Sequence, residues 1–335
     1  MTYTNINIIG TGIYHPKNKV SNAYLIDHFD KLGIEIEGLL THLEREYRYH
    51  SDDDEETVIS MAYEASINAL EEAKIKSEDI DLIVFATDTP EYTSPSNAIK
   101  LTHLLNAKNA KMVYDTNSNC IGMITALDQV SRILQTNKRY KKALVVGGLL
   151  ISSAFNTNDP VTYGNFGDSA AAVVLEKVEE DIKRGFIDST CYTKTSEVDN
   201  ILMPKIGYSK ITKGNVIKEE DKKWSFEPFD NDFISDYWAE LIKDLAVENK
   251  MNLTDIDHFL FSQFTNHAAK ATLEKLDIDK ENLTYVGNEY GYTGVTSPIM
   301  ALHRALETGK INKGSKVIFI SVGSGSTTSA ILFEF

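Results

Sequence analysis

The chain has 335 residues, of which 42% are hydrophobic, 25% charged and 10% aromatic, with 7 Pro and 19 Gly. That composition excludes disordered, collagen-like and disulfide-scaffold classes. Lys and Arg number 34 against 49 Asp and Glu, a formal charge of −15, and no cationic cluster is long enough to follow a phosphate backbone, so neither nucleic acid nor an anionic membrane is an expected partner. Cys120 and Cys191 are the two cysteines; they are too few for a disulfide framework and lack zinc-ligand spacing, so no metal is expected and a reducing setting is. Met1-Thr2-Tyr3-Thr4-Asn5 carries no signal-peptide pattern, and no apolar run approaches the ~20 residues of a membrane span. A soluble, cytoplasmic chain of about two domains, or one large duplicated one, is expected.

In chain order, apolar residues at three- and four-residue spacing (Met61, Ala65, Ala69, Ala73) predict a helix over 56–74, followed by Asp79-Ile80-Asp81 and the apolar run Leu82-Ile83-Val84-Phe85-Ala86. A helix over 121–134 precedes the β-rich run Ala143 to Gly148, and Ala170 to Leu175 reads as one more strand. The order then returns: a helix over 233–249, Asp255-Ile256-Asp257, the run His258-Phe259-Leu260-Phe261, a helix over 297–307, and strands at Val317 to Gly323 and Ser329 to Phe333. Continuous apolar runs between amphipathic helices are strands buried on both faces. The repeat predicts two similar α/β halves, 1–178 and 230–335. Between them, 179–229 is polar and has no partner in the first half; it reads equally as a surface excursion or as a lid over a site.

Asp115-Thr116-Asn117-Ser118-Asn119-Cys120-Ile121-Gly122 leads from a strand through a polar turn into a helix. At a helix start the free N–H groups and the macrodipole favour a thiolate, the reactive form of cysteine. Position alone also suits a small buried hydrophobe. Cys191 has no such setting and reads as structural.

The Cys120 segment, with Asp115 upstream and Gly122 downstream, resembles the active-site segment of the beta-ketoacyl-acyl carrier protein synthase III family, within the thiolase-like condensing enzymes. So do Ile9-Gly10-Thr11-Gly12-Ile13-Tyr14-His15-Pro16 with Asn22, the stretch from Asp81 to Pro90 with Pro95-Ser96, Phe166-Gly167-Asp168-Ser169, and Gly323-Ser324-Gly325. The resemblance spans nearly the whole chain and implies a duplicated five-layer α/β/α/β/α sandwich and a homodimer. It also implies a Cys120 nucleophile that takes an acyl group from coenzyme A or an acyl carrier protein. Backbone N–H groups of Cys120 and Ser324 are the implied oxyanion donors, flanked by Gly323 and Gly325, and no cofactor beyond the thioester is implied.

The chain departs from the family at two positions. Ser262 stands where family members carry a His, and Tyr292 where they carry an Asn, the pair that stabilises the enolate formed by malonyl decarboxylation. His267, which ungapped alignment sets at a carrier-docking Arg, lies five residues past Ser262 and is a candidate base or substrate contact if the chain shifts locally. Pro160 falls at the family's adenine-contacting Arg, which favours a carrier-protein donor over free coenzyme A. Lys138-Arg139-Tyr140-Lys141-Lys142 and Lys205, Lys210 and Lys213 are the candidate basic patches for an acidic carrier. Loss of one aimed donor costs ~100- to 1000-fold in rate, so the leading expectation is acyl transfer onto Cys120 and on to an acceptor without malonyl decarboxylation. The alternatives are the ordinary decarboxylative reaction and a non-catalytic partner subunit. A Rossmann dehydrogenase is excluded because Gly10-Thr11-Gly12 continues as Ile13-Tyr14-His15.

Overall fold

The structure, a computed structural model, describes residues 2–195, 197–213 and 217–335. Its first half is built from β1 (Tyr3–Tyr14), α1 (Val58–Ala73), β2 (Leu82–Ala86), α2 (Asn97–Leu104), β3 (Met112–Thr116), α3 (Gly122–Thr136), β4 (Lys142–Leu149) and β5 (Ser169–Glu180). The second is built from β6 (Gly185–Thr193), α4 (Phe233–Glu248), β7 (His258–Phe261), α5 (Asn266–Lys275), α6 (Ser297–Glu307), β8 (Lys316–Gly323) and β9 (Thr327–Glu334).

Strands run in the order β3-β2-β4-β5-β1 and then β6-β9-β8-β7. In the first half β2 lies parallel to β3 and β4 (Val84 opposite Tyr114 and Val145), and β5 and β1 close the set antiparallel. The second repeats this: β7 is parallel to β8, while β9 and β6 follow antiparallel. Where β3 has its counterpart there is a single bridge, Phe259 to Leu283. The halves meet at Ile6 opposite Gly185.

The sequence reading set residues 179–229 apart as unrepeated, and here it needs correction. β6 pairs with β9 as β1 pairs with β5, so the second half begins at Gly185. Its mixed polarity hid it: only Gly185 and Phe186 of β6 are buried.

Five layers follow from which faces are apolar. α1 and α2 cover the outer face of the first sheet, α4 and α5 that of the second, and α3 and α6 lie between the sheets within the largest core cluster. Strands covered on both sides must be apolar throughout, which is why Leu82–Ala86 and His258–Phe261 are buried at every position. α1 lies close on β1 because Gly10 and Gly12 have no side chain; a Cβ there would sit 2.5 Å from the Ala69 carbonyl oxygen and 2.2 Å from that of Ala65. Among the described residues no helix is long and apolar enough to cross a membrane.

Candidate active site

Cys120 sits in the turn between β3 and α3. Asp115, at the end of β3, accepts hydrogen bonds from the backbone N–H groups of Asn97 and Ala98, both at 2.7 Å, and so ties the strand to the start of α2. Asn119 takes a left-handed conformation (φ 52°) held by the turn of Asn117, whose Oδ1 accepts from the Asn119 N–H. The chain then enters α3 through Ile121, with Cys120 half-buried and its carbonyl held by the Ser321 hydroxyl at 3.1 Å.

Tyr292 reaches the thiol from the other half. Its backbone is clamped on both sides, N–H to the Asn165 carbonyl at 2.8 Å and carbonyl to the Gly167 N–H at 3.0 Å. Gly291 before it has φ +71°, and a Cβ there would meet the Arg48 Cβ at 2.8 Å. The ring packs between Phe166 and Phe264, and its hydroxyl lies in the same pocket as the Cys120 thiol. Ser262, which leaves β7, donates to the Tyr292 hydroxyl at 3.3 Å. Ser262 and Tyr292 are therefore in contact with each other, and Tyr292 shares its pocket with Cys120.

Behind them lies a buried frame. The Arg45 guanidinium donates to the carbonyls of Gln263 (2.6 Å) and Phe264 (3.1 Å), to Asn165 and to the Tyr285 hydroxyl. Gln263 in turn accepts from the N–H groups of Val286 and Gly287. Asp168 accepts from the N–H groups of Ser51 and Ser152 and so holds the loop ahead of β5.

The electrostatics contradict one expectation. Burial first, and the Asp88 charge second, push the Cys120 thiol up to about 12, against the pull of the Tyr292 hydroxyl. A rise from 9 to about 12 disfavours the thiolate by roughly 4 kcal/mol, whereas a helix N-terminus returns only about 0.3–1 kcal/mol. Cys120 therefore rests as a neutral thiol. Burial also holds the Tyr292 phenol well above its usual range.

A cavity of about 640 Å³, counting its mouth, opens above these groups. Its walls are mostly apolar: Leu149, Ile151, Phe166, Phe264 and Val322 from the core, and Ile201, Trp224, Phe229 and Phe233 from the 179–229 segment and the start of α4. Ile201–Leu202 and Ser225–Phe226 pair as a short ladder, and the Trp224 N–H bonds the Ala154 carbonyl, which fixes this segment over the site. Ser196 and residues 214–216 of the same segment lie outside the described residues. Gly323, Ser324 and Gly325 line the floor beside Cys120, with Gly325 at φ +74° and the Asn119 side chain donating to the Ser324 carbonyl at 3.4 Å.

His267 does not join them. It is exposed on α5, facing the His42 ring at 6.1 Å, because the helix starts at Asn266 and turns this position outward. Among the described residues no histidine lines the cavity. Cys191 is exposed on β6. Sequence reading missed Asp88, whose Oδ1 is buried without a hydrogen-bond partner and which lines the same cavity. The signal was present: Thr87-Asp88-Thr89 follows the carboxyl end of β2, where open α/β sheets place their sites.

Comparison with known proteins places the chain in a family. Residues 114–195 match the family model for 3-oxoacyl-[acyl-carrier-protein] synthase III, and residues 247–335 match its C-terminal model. The chain is 30% identical over 331 residues to a beta-ketoacyl-[acyl-carrier-protein] synthase III of Wolbachia pipientis, covering 98% of both. It belongs to the beta-ketoacyl-[acyl-carrier-protein] synthase III family. The crystal structure of the 3-oxoacyl-[acyl-carrier-protein] synthase III of Aquifex aeolicus superposes with a TM-score of 0.85 at 27% identity over 99% of this chain and all of that one. That of Pseudomonas aeruginosa superposes at 0.86 with 20% identity, over 99% and 98%, a likeness of fold alone. The chain is thus an acyl-transferring condensing enzyme on the thiolase-like fold.

Proposed function

We propose that this family member takes an acyl group from a thioester onto Cys120 and passes it to an acceptor without malonyl decarboxylation. The observation that carries this reading is the bonded hydroxyl pair of Ser262 and Tyr292 beside Cys120. The family's His and Asn point two N–H donors at a nascent enolate; here the Ser262 hydroxyl is committed to Tyr292, whose ring is wedged between Phe166 and Phe264. Acylation asks less: a deprotonated sulfur and an oxyanion hole, for which the N–H groups of Cys120 and Ser324 are the candidates. The aromatic and aliphatic walls suit an apolar acyl chain.

The donor we favour is an acyl carrier protein. Lys205, Lys210 and Lys213 lie on the segment that walls the cavity and form none of the ion pairs found among the described residues. The run from Lys138 to Lys142 is less suited, because it leads into the far end of β4 while Leu149 at the other end lines the cavity, about 23 Å away at ~3.3 Å per residue. A homodimer fits the exposed apolar side chains of Tyr92, Ile99 and Leu104 beside β3, the edge strand of the sheet. A cytoplasmic setting remains part of the same proposal, as does the absence of a metal or further cofactor.

The test is intact-protein mass spectrometry after incubation with a panel of acyl-coenzyme A and acyl-carrier-protein thioesters. An added acyl mass that disappears in Cys120→Ala supports the reading. No adduct from any donor points instead to a non-catalytic partner subunit.

A further inference from the structure

Among the described residues, two polar side-chain atoms of residues lining the cavity are buried without a hydrogen-bond partner, Trp224 Nε1 and Asp88 Oδ1, and only the second can accept a proton. It is a carboxylate oxygen without a hydrogen-bond partner, placed in an apolar chamber that contains the nucleophile and, among the described residues, no histidine and no cation. A neutral thiol needs a proton acceptor before it can attack, and the helix start does not supply one. The other titratable groups facing the chamber are Cys120, Tyr292 and Glu197. Glu197 is engaged by Lys194 at 3.2 Å and by the Ser326 hydroxyl at 2.9 Å, and burial keeps the Tyr292 phenol protonated.

We propose that Asp88 is the general base and acid of this site, exchanging a proton with the Cys120 thiol through one bridging water molecule. The proposal rests on the reading that Cys120 is acylated. In that step the Cys120 Sγ forms a bond to the acyl carbonyl carbon and the donor's C–S bond breaks. The thiol proton passes to Asp88 and from there to the departing thiolate sulfur, so that no oxidant or second co-reactant is needed. By microscopic reversibility the same carboxylate takes the proton of an incoming thiol, amine or alcohol as its sulfur, nitrogen or oxygen displaces Cys120. Protic nucleophiles of that class are thus the acceptors this arrangement serves. Burial moves the Asp88 carboxyl up to about 6, which leaves it ionised at neutral pH yet a stronger base than a surface aspartate.

p-Nitrophenyl acetate is a suitable probe, because it acylates a reactive thiol without any recognition of coenzyme or carrier. The pre-steady-state burst is followed on the full-length protein from pH 5 to 10, with Cys120→Ala as the blank. The wild-type burst rate is expected to rise through about pH 6 and then level off to about pH 9. In Asp88→Asn the plateau is expected to vanish, the rate at pH 7 to fall at least tenfold, within the ~100- to 10,000-fold range of general-base contributions, and the rate to climb about tenfold per pH unit. Asp88→Glu keeps a carboxylate and is expected to keep the plateau. An Asp88→Asn profile that matches wild type overturns the assignment while leaving acylation intact. If Asp88→Asn and Asp88→Glu lose rate equally with the wild-type profile shape, Asp88 is only structural. No Cys120-dependent burst in wild type overturns the acylation reading itself, and the base assignment with it.

Discussion

Ser262 Oγ lies 3.3 Å from the Tyr292 hydroxyl, as its donor, although 30 residues separate them in the chain. Both side chains are buried, at 1% and 2% exposure, and Tyr292 lines the same cavity as Cys120. The two positions that the sequence sets apart from the family pattern are therefore a bonded pair.

Replacing Tyr292 by Phe removes the side-chain hydroxyl that pulls the Cys120 thiol down, leaving the Cys120 backbone alone to do so, and takes from the buried Ser262 hydroxyl its acceptor. Cys120 acylation at pH 7 is expected to slow about 10- to 100-fold, and stability to drop by about 1–3 kcal/mol. Stopped-flow acylation and urea unfolding on the same samples check both.

The paired substitution Ser262→His with Tyr292→Asn restores the family's two donors. It is expected to raise malonyl-thioester decarboxylation at least tenfold, since one aimed donor is worth ~100-fold or more. Release of labelled carbon dioxide from malonyl-coenzyme A measures this. Neither single substitution is expected to match the pair.

Asp88 holds a folded-state pKa of about 6, above its ordinary 3.8, because burial penalises its charge. Below about pH 3 the carboxyl is protonated folded and unfolded, and contributes nothing. As pH rises from about 3 to about 6 the unfolded chain ionises first, so stability is lost, by up to roughly 3 kcal/mol. Asp88→Asn is therefore expected to raise the thermal midpoint by about 2–4 °C at about pH 7.5 and to leave it unchanged at about pH 3. Differential scanning calorimetry at the two pH values tests the sign.

Arg45 touches neither Cys120 nor the cavity but holds the loops that carry Ser262 and Tyr292. Arg45→Ala is expected to cost about 3 kcal/mol or more of stability and to lower acylation with it. Acylation retained at the wild-type rate in Arg45→Ala would count against this positioning role.

Much of this architecture could be read from the residues, and the reasons are physical. Leu82–Ala86, Lys142–Leu149 and Lys316–Gly323 are strands covered on both faces, so their sequences had to be continuously apolar. β6 escaped because most of its residues are only partly covered. Cys120, Ser262 and Tyr292 were found through motif positions, and the structure brings them together. His267 was placed by proximity in sequence, but which way a helix turns a side chain depends on where the helix starts. The ionisation of Cys120 was misjudged for a related reason: burial and Asp88 are tertiary effects, and they outweigh the local helix terminus. Asp88 itself becomes conspicuous only once its lack of a partner is visible.

The most direct test of acyl transfer without decarboxylation starts from wild-type protein acylated at Cys120 and freed of donor. Malonyl-carrier protein is added to one portion and a small amine or thiol acceptor to another, and the Cys120 adduct is followed by intact mass. The expected result is an adduct that persists with malonyl-carrier protein and discharges to the protic acceptor. Discharge by malonyl-carrier protein, with release of carbon dioxide and a beta-ketoacyl product, would contradict the account and make Ser262 and Tyr292 competent substitutes for His and Asn.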